Sequence, residues 1–470
     1  MSFSSPFFIF FFLPLILFLF FSVKENKDYI LLAGSLCFYL WSEPIFCLIT
    51  IASSLVDHCL CNLIYIANSK KKLVKFYLAI GVITNLSILF YYKYTIFFIS
   101  NLIHWLPRIH STTKFLDIIL PIGISFITFE KITYLVDVYR GIGKPASNLV
   151  KYLNYVFLFP KLLAGPIIKY HEIEEQLNKR LHLFEDIAEG FKRFILGLIK
   201  KVLIADTCAE IVNQIFSLPA NQLGIYYAWL GLFSFALQIY FDFSAYSDMA
   251  LGIARMFGFQ LKENFNMPYL SSSFTEFWRR WHISLSTWVR DYLYIPLGGN
   301  RTSTKRNYFN LWICFLLVGL WHGANWKFII WGIYNGIFLC IDKLFWLKLS
   351  KKLPNFIAVF IIFLCIMMGF VIFRSDTLTQ AQYYIKTLMG ITTTTSSHYI
   401  EITPNIITAI IVGTLLSFTP LLPGYFRLST YYFNWKWRPL INNCIFSVFG
   451  FFSIFKTIAI SFQPFLYFRF

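Results

Sequence analysis

Charge is what this chain has least of: only 14% of its 470 residues are Asp, Glu, Lys or Arg, against about 25% in an ordinary soluble protein. With 57% hydrophobic and 20% aromatic residues and a mean hydropathy of +0.62, that shortage argues against two or three soluble domains. Acidic residues are scarcer than basic ones, 23 against 41, which leaves a net charge of +18. The surplus does not form a nucleic-acid-binding face. It falls in short clusters between apolar runs (Lys70, Lys71, Lys72 and Lys75; Lys348, Lys351 and Lys352), as expected of cytoplasmic loops. The expected partner is therefore a lipid bilayer and not nucleic acid. The nine cysteines show neither a disulfide framework nor zinc-ligand spacing, and Cys59 with Cys61 is a lone C-x-C. The first apolar run, 7–21, has no basic residue before it and no small-residue cleavage site after it. Lys24 and Lys27 follow instead, so it reads as a retained first span with the N-terminus outside.

Apolar runs recur along the whole chain, and several are too short to cross a bilayer at 1.5 Å per residue. The expectation is an all-α polytopic integral membrane protein of about 11 to 13 membrane helices, with re-entrant and interfacial helices besides. It is read as one membrane domain over 1–470, with a catalytic core near 120–340 and a C-terminal tail over 463–470. The run 224–257 is long enough for a tilted helix or for one that breaks near Asp242. The charged segment 169–190 has helical spacing and reads as a cytoplasmic interfacial helix. Alternating the basic clusters across the membrane puts both termini outside and 375–401 outside.

Ionisable residues within apolar segments are costly, so they are functional candidates by default. One concentration lies in 264–301, where Glu276, Arg279, Arg280, His282, Arg290 and Asp291 are set among tryptophans, phenylalanines and tyrosines. This stretch is too charged to span lipid and too aromatic for a solvated loop. A helix along the interface with a re-entrant turn at Pro296-Leu297-Gly298-Gly299 fits, and so does an aromatic anchor with snorkelling arginines. The other is Trp321-His322-Gly323-Ala324-Asn325-Trp326, between two apolar runs. His322 has no H-x-x-x-H partner, so no metal is expected. A lone buried histidine is more often structural, yet a neutral imidazole is also a natural base for a hydroxyl near pH 7.

In order along the chain, PIGISFITFEKITYLVDVYRG (121–141), FPKLLAGPI (159–167), YFDFSAYSDMALGIARMFG (240–258), the 264–301 block, VGLWHGANWKFIIWGIYNG (318–336) and the terminal PFLYFRF resemble the membrane-bound O-acyltransferase (MBOAT) family. Within it they are most similar to the bacterial branch that O-acetylates alginate and peptidoglycan. The resemblance implies that His322 is the catalytic base and His282 the second family histidine. It implies acetyl-CoA as cytosolic donor and a cell-envelope polysaccharide as acceptor. A periplasmic acetyltransferase partner would deliver the acetyl group, at the plasma (inner) membrane of a bacterium. Tyr467 in the tail matches an acyl-relay tyrosine, with an interfacial anchor as the competing reading. His282, Asn325 or an arginine would stabilise the oxyanion, and Asp242 and Asp248 would support the site or pair with an arginine. Two alternatives stand beside this reading: D-alanyl transfer to teichoic acid from a carrier protein, and a transporter whose buried charges line a path.

Overall fold

In lipid every backbone N–H and C=O must find its partner within the protein, which turns apolar runs into helices. The computed structural model describes all residues except 68–69, 106–117, 181–182, 393–398, 460–464 and 467–470. No strand occurs among the described residues; the chain is all-α. Six helical stretches among them are long and apolar enough to cross a membrane: Pro44–Ile66, Lys71–Ile103, Trp326–Lys352, Asn355–Arg374, Pro404–Leu421 and Arg438–Ala459. Tyr467 lies outside the described residues.

The helices gather into two compact units, Met1–Arg193 with Ala250–Lys262, and Phe194–Met249 with Glu263–Phe470. The first contains α1 (Leu13–Ser22), α2 (Lys27–Leu40), α3 (Pro44–Ile66), α4 (Lys71–Leu89), α5 (Thr95–Trp105), α6 (Ile124–Arg140), α7 (Leu149–Phe157), α8 (Phe159–Leu162), α9 (Tyr170–Asn178) and the start of α10 (Phe184–Ile199). Charge inside this unit is paired. Lys131 reaches Asp57 at 3.2 Å, the amide of Asn85 donates to the same carboxylate at 2.9 Å, and Lys161 pairs with Glu130. Removing one partner of such a pair strands a charge in an apolar interior, which typically costs about 3–5 kcal/mol.

The interfacial helix expected over 169–190 is two helices, α9 and α10, instead of one. α9 stops at Asn178, whose amide donates to the Glu174 carbonyl, and Lys179 is extended. Arg180 then turns back, donating to the Gln176 carbonyl at 3.0 Å and pairing with Asp28. These side-chain bonds to backbone compete with continued helix.

The second unit holds most of α12 (Ile225–Met256) with α11 (Asp206–Phe216), α13 (Phe274–Arg280), α14 (Ile283–Val289), α15 (Thr304–His322), α16 (Trp326–Ile341), α17 (Leu347–Leu349), α18 (Asn355–Arg374), α19 (Leu378–Leu388), α20 (Pro404–Phe418), α21 (Tyr425–Phe433) and α22 (Arg438–Ala459). α12 runs for 32 residues without a break at Asp242. Its two buried carboxylates are neutralised in place, Asp242 by Lys201 at 2.7 Å and Asp248 by Lys200 at 2.6 Å.

Candidate active site

The 264–301 block is neither one interfacial helix nor an aromatic anchor. It folds as a short 3-10 turn (Pro268–Leu270), α13 and α14, and then a π-helical turn (Arg290–Tyr294). Phe274, Phe277, Trp278, Trp281 and Trp288 are all buried, so these rings are core. Two supports set α13. Ser273 caps it by accepting the Glu276 N–H at 3.0 Å, and the buried Asp342 carboxylate accepts the Thr275 N–H at 2.6 Å. The expected turn at Gly298 and Gly299 is present, with φ of 103° and 56°. Asn310 of α15 holds it by donating to the Leu297 carbonyl at 3.1 Å.

His282 sits between α13 and α14 with φ at 44°, in the left-handed region that a non-glycine residue seldom adopts. Two backbone bonds around it fix that conformation, Asn266 N–H to the Arg280 carbonyl and Ile283 N–H to the Asn264 carbonyl, both 2.9 Å. Strain held in this way typically costs about 1–3 kcal/mol. Asn264 is completely buried; its Oδ1 accepts the Ser284 N–H at 3.0 Å and lies 3.3 Å from His282 Nδ1. Both this oxygen and the Ser284 hydroxyl, 3.4 Å away, lie within hydrogen-bond reach of Nδ1 and orient the ring. Burial pushes the His282 imidazole down to about 3, so it is neutral at physiological pH.

His322 is the last residue of α15. Gly323 is extended, and Asn325 caps α16 by accepting the Lys327 N–H at 3.0 Å. The Gly-Ala-Asn link is therefore the turn of a helical hairpin, with His322 at its lip. The two helices approach at glycines. Gly319 and Gly332 lie so close that a Cβ on Gly319 would fall on the Phe328 carbonyl oxygen, and one on Gly332 on that of Phe315. Gly323 serves the same packing, since the Phe328 ring fills the space a Cβ there would need.

Rings enclose the His322 imidazole, which is 8% exposed. Trp331 meets it edge-on at 4.9 Å, Phe373 at 5.4 Å and Trp321 at 5.0 Å. Trp321 is also 6.1 Å from the His282 ring, so the two histidines flank one indole. The Trp278 indole, 5.9 Å from Trp331, has a buried N–H with no hydrogen-bond partner among the described residues, a leftover donor beside the cluster.

Of the other charged candidates, four pair with each other locally. Arg280 binds Glu276 at 2.7 Å, and burial, which would raise the Glu276 carboxyl, is outweighed by the Ser272 N–H and hydroxyl and by Arg280, so its pKa ends below the ordinary value. Arg290 binds its neighbour Asp291 at 2.7 Å, and Arg279 is exposed. Asn264, Asp342, Trp278 and Trp321 were not legible as site residues, because their roles depend on contacts between segments far apart in sequence. Asn264 did carry one signal, as the polar residue that opens the charged aromatic block. No group of three or more His, Cys, Asp or Glu side chains gathers among the described residues.

Residues 74–375, which include both histidines, match the model of the membrane-bound O-acyltransferase family. The chain is 41% identical over 434 residues to the probable alginate O-acetylase of Pseudomonas aeruginosa, covering 92% of this chain and 82% of that one. It is 38% identical over 354 residues to the peptidoglycan O-acetyltransferase of Helicobacter pylori, covering 69% and 66%. Against the teichoic acid D-alanyltransferase of Bacillus subtilis the identity is 29% over 272 residues, covering 54% and 68%. With its helical membrane fold and a family match that spans the paired histidines, the chain belongs to the membrane-bound O-acyltransferase family and is an acyltransferase.

Proposed function

We propose that this acyltransferase moves an acetyl group from cytosolic acetyl-CoA to hydroxyls of a cell-envelope polysaccharide, with His322 as general base. The observation that carries this reading is the placement of His322 at the lip of a hairpin, held by three rings and paired across Trp321 with a second buried histidine. His322 takes the proton of the acceptor hydroxyl as its oxygen attacks the thioester carbonyl. The C–S bond breaks, the ester forms, and the departing thiolate takes the proton from the imidazolium. Donors are needed where negative charge develops on the carbonyl oxygen, and the Trp278 N–H is one candidate beside this cluster.

The acceptor class follows from the relatives named for alginate and peptidoglycan O-acetylation. The same reading places the protein in a bacterial inner membrane with both termini outside, and calls for a periplasmic partner that passes acetyl to the glycan. Its donor is tested directly. The purified protein is expected to release CoA thiol from acetyl-CoA and to leave a D-alanyl carrier protein untouched; the opposite preference would favour the D-alanyl reading.

Tyr467 takes the role of acyl relay in this scheme. His322 deprotonates its phenol, whose oxygen accepts the acetyl group before the partner does. Tyr467→Phe keeps the ring and removes the nucleophile, so glycan acetylation is expected to fall to background at normal protein level. Persistent acetylation in that variant would remove Tyr467 from the route and return it to an interfacial anchor.

A further inference from the structure

One buried carboxylate in the second unit has more to bind than its lysine. Asp242 stands in the middle of α12, 2% exposed, in a cluster where Lys201 Nζ lies 2.7 Å from Asp242 Oδ1 and 2.7 Å from Asp206 Oδ1. Lys201 serves both carboxylates through one oxygen each, which leaves Asp242 a second oxygen for another donor. Its second oxygen, Oδ2, accepts the backbone N–H of Leu466 at 2.7 Å, a short bond to an ionised acceptor and so among the stronger kinds. Leu466 and Phe465 are 6% and 2% exposed. The Phe465 ring lies 4.8 Å from Tyr246 and 5.9 Å from Phe243, and Lys201 Nζ is 6.0 Å from its centroid. Phe243 in turn meets the His282 ring edge-on at 4.7 Å. A single ring therefore separates the docked residues from the second histidine.

We propose that Asp242 is a positioning residue, a clasp that docks residues 465–466 on the ring wall behind His282 by accepting the Leu466 N–H. The cluster also fixes the helix that leads into this stretch, since Lys456 of α22 donates to Thr207 Oγ1 at 2.8 Å and to the Val202 carbonyl at 3.2 Å. The consequence for acyl transfer rests on the function proposed above; the docking itself does not.

A purely structural ion cluster and a clasp differ in one respect. Leu466→Pro deletes the N–H and leaves Lys201, Asp206 and Asp242 intact, whereas Leu466→Met keeps both the N–H and the apolar volume. In the full-length protein in detergent, chymotrypsin is expected to cut after Phe462 or Tyr467 at least about tenfold faster in Leu466→Pro than in Leu466→Met. Asp242→Ala should behave like Leu466→Pro, because Lys201 keeps Asp206. In cells, glycan acetylation should fall at least about tenfold in Leu466→Pro and stay within about threefold in Leu466→Met. Equal cutting of the two Leu466 variants would overturn the clasp, and so would faster cutting with full acetylation. If the wild type acetylates no glycan, the proposed function fails while the cutting rates still decide the docking.

Discussion

Replacing His322 with alanine is expected to lower acetyl transfer by about 10³-fold, within the 10²–10⁴-fold range of a positioned general base and equivalent to about 4 kcal/mol of barrier. The loss should be chemical and not structural. Trp321, Trp331 and Phe373 surround the imidazole, but the hairpin itself is held by its glycine contacts and by the Asn325 cap, which the substitution leaves in place. His322→Gln fills more of the same space without supplying a base near neutral pH, and it should be as inactive as the alanine variant. CoA thiol release from acetyl-CoA by the purified protein reads both variants. An alanine variant that folds, inserts and retains more than about a tenth of the activity is incompatible with a base at this position.

Gly319→Ala should act at an earlier level, on the fold that presents His322. The added Cβ would fall on the Phe328 carbonyl oxygen, with the Gly332 Cα 3.0 Å away, so both nearest neighbours are backbone and neither can rotate aside. Overpacking commonly costs about 1–3 kcal/mol, and a contact between two backbones belongs at the upper end or beyond. The expected result is at least a tenfold loss of monodisperse protein after extraction from membranes, and activity lost in proportion. Gly224→Ala is the matched control, because nothing lies within 4 Å of a Cβ there. Equal yields from the two variants would mean that the α15–α16 hairpin is not packed through its glycines.

Class and location of the fold were readable from composition, because lipid imposes a simple rule: long apolar runs become helices and charge must be paired. The local form of the site was less readable. The 264–301 block has the composition of an interfacial helix, yet its tryptophans are core and it breaks twice. What decides this is tertiary: Asp342 holds the start of α13 from more than sixty residues away, and Asn264 pins the turn at His282. The two histidines could be singled out as residue types, but their meeting at Trp321 could not, since forty residues separate them in sequence. For Asp242, its cost in an apolar helix was legible, whereas its partners, Lys201 and the Leu466 N–H, come from both ends of this half of the chain. The arginines show the opposite case. Arg280 and Arg290 looked available for catalysis and are engaged by carboxylates four residues and one residue away; helical spacing could have anticipated the first pairing.

Mass spectrometry of envelope glycans tests the central claim most directly, comparing cells that carry the wild-type protein, cells without it, and cells that carry His322→Ala at matched level. O-acetyl esters are expected on a surface polysaccharide in the first cells, and none above background in the other two. Identical acetylation in all three, or D-alanyl esters in place of acetyl esters, would contradict it.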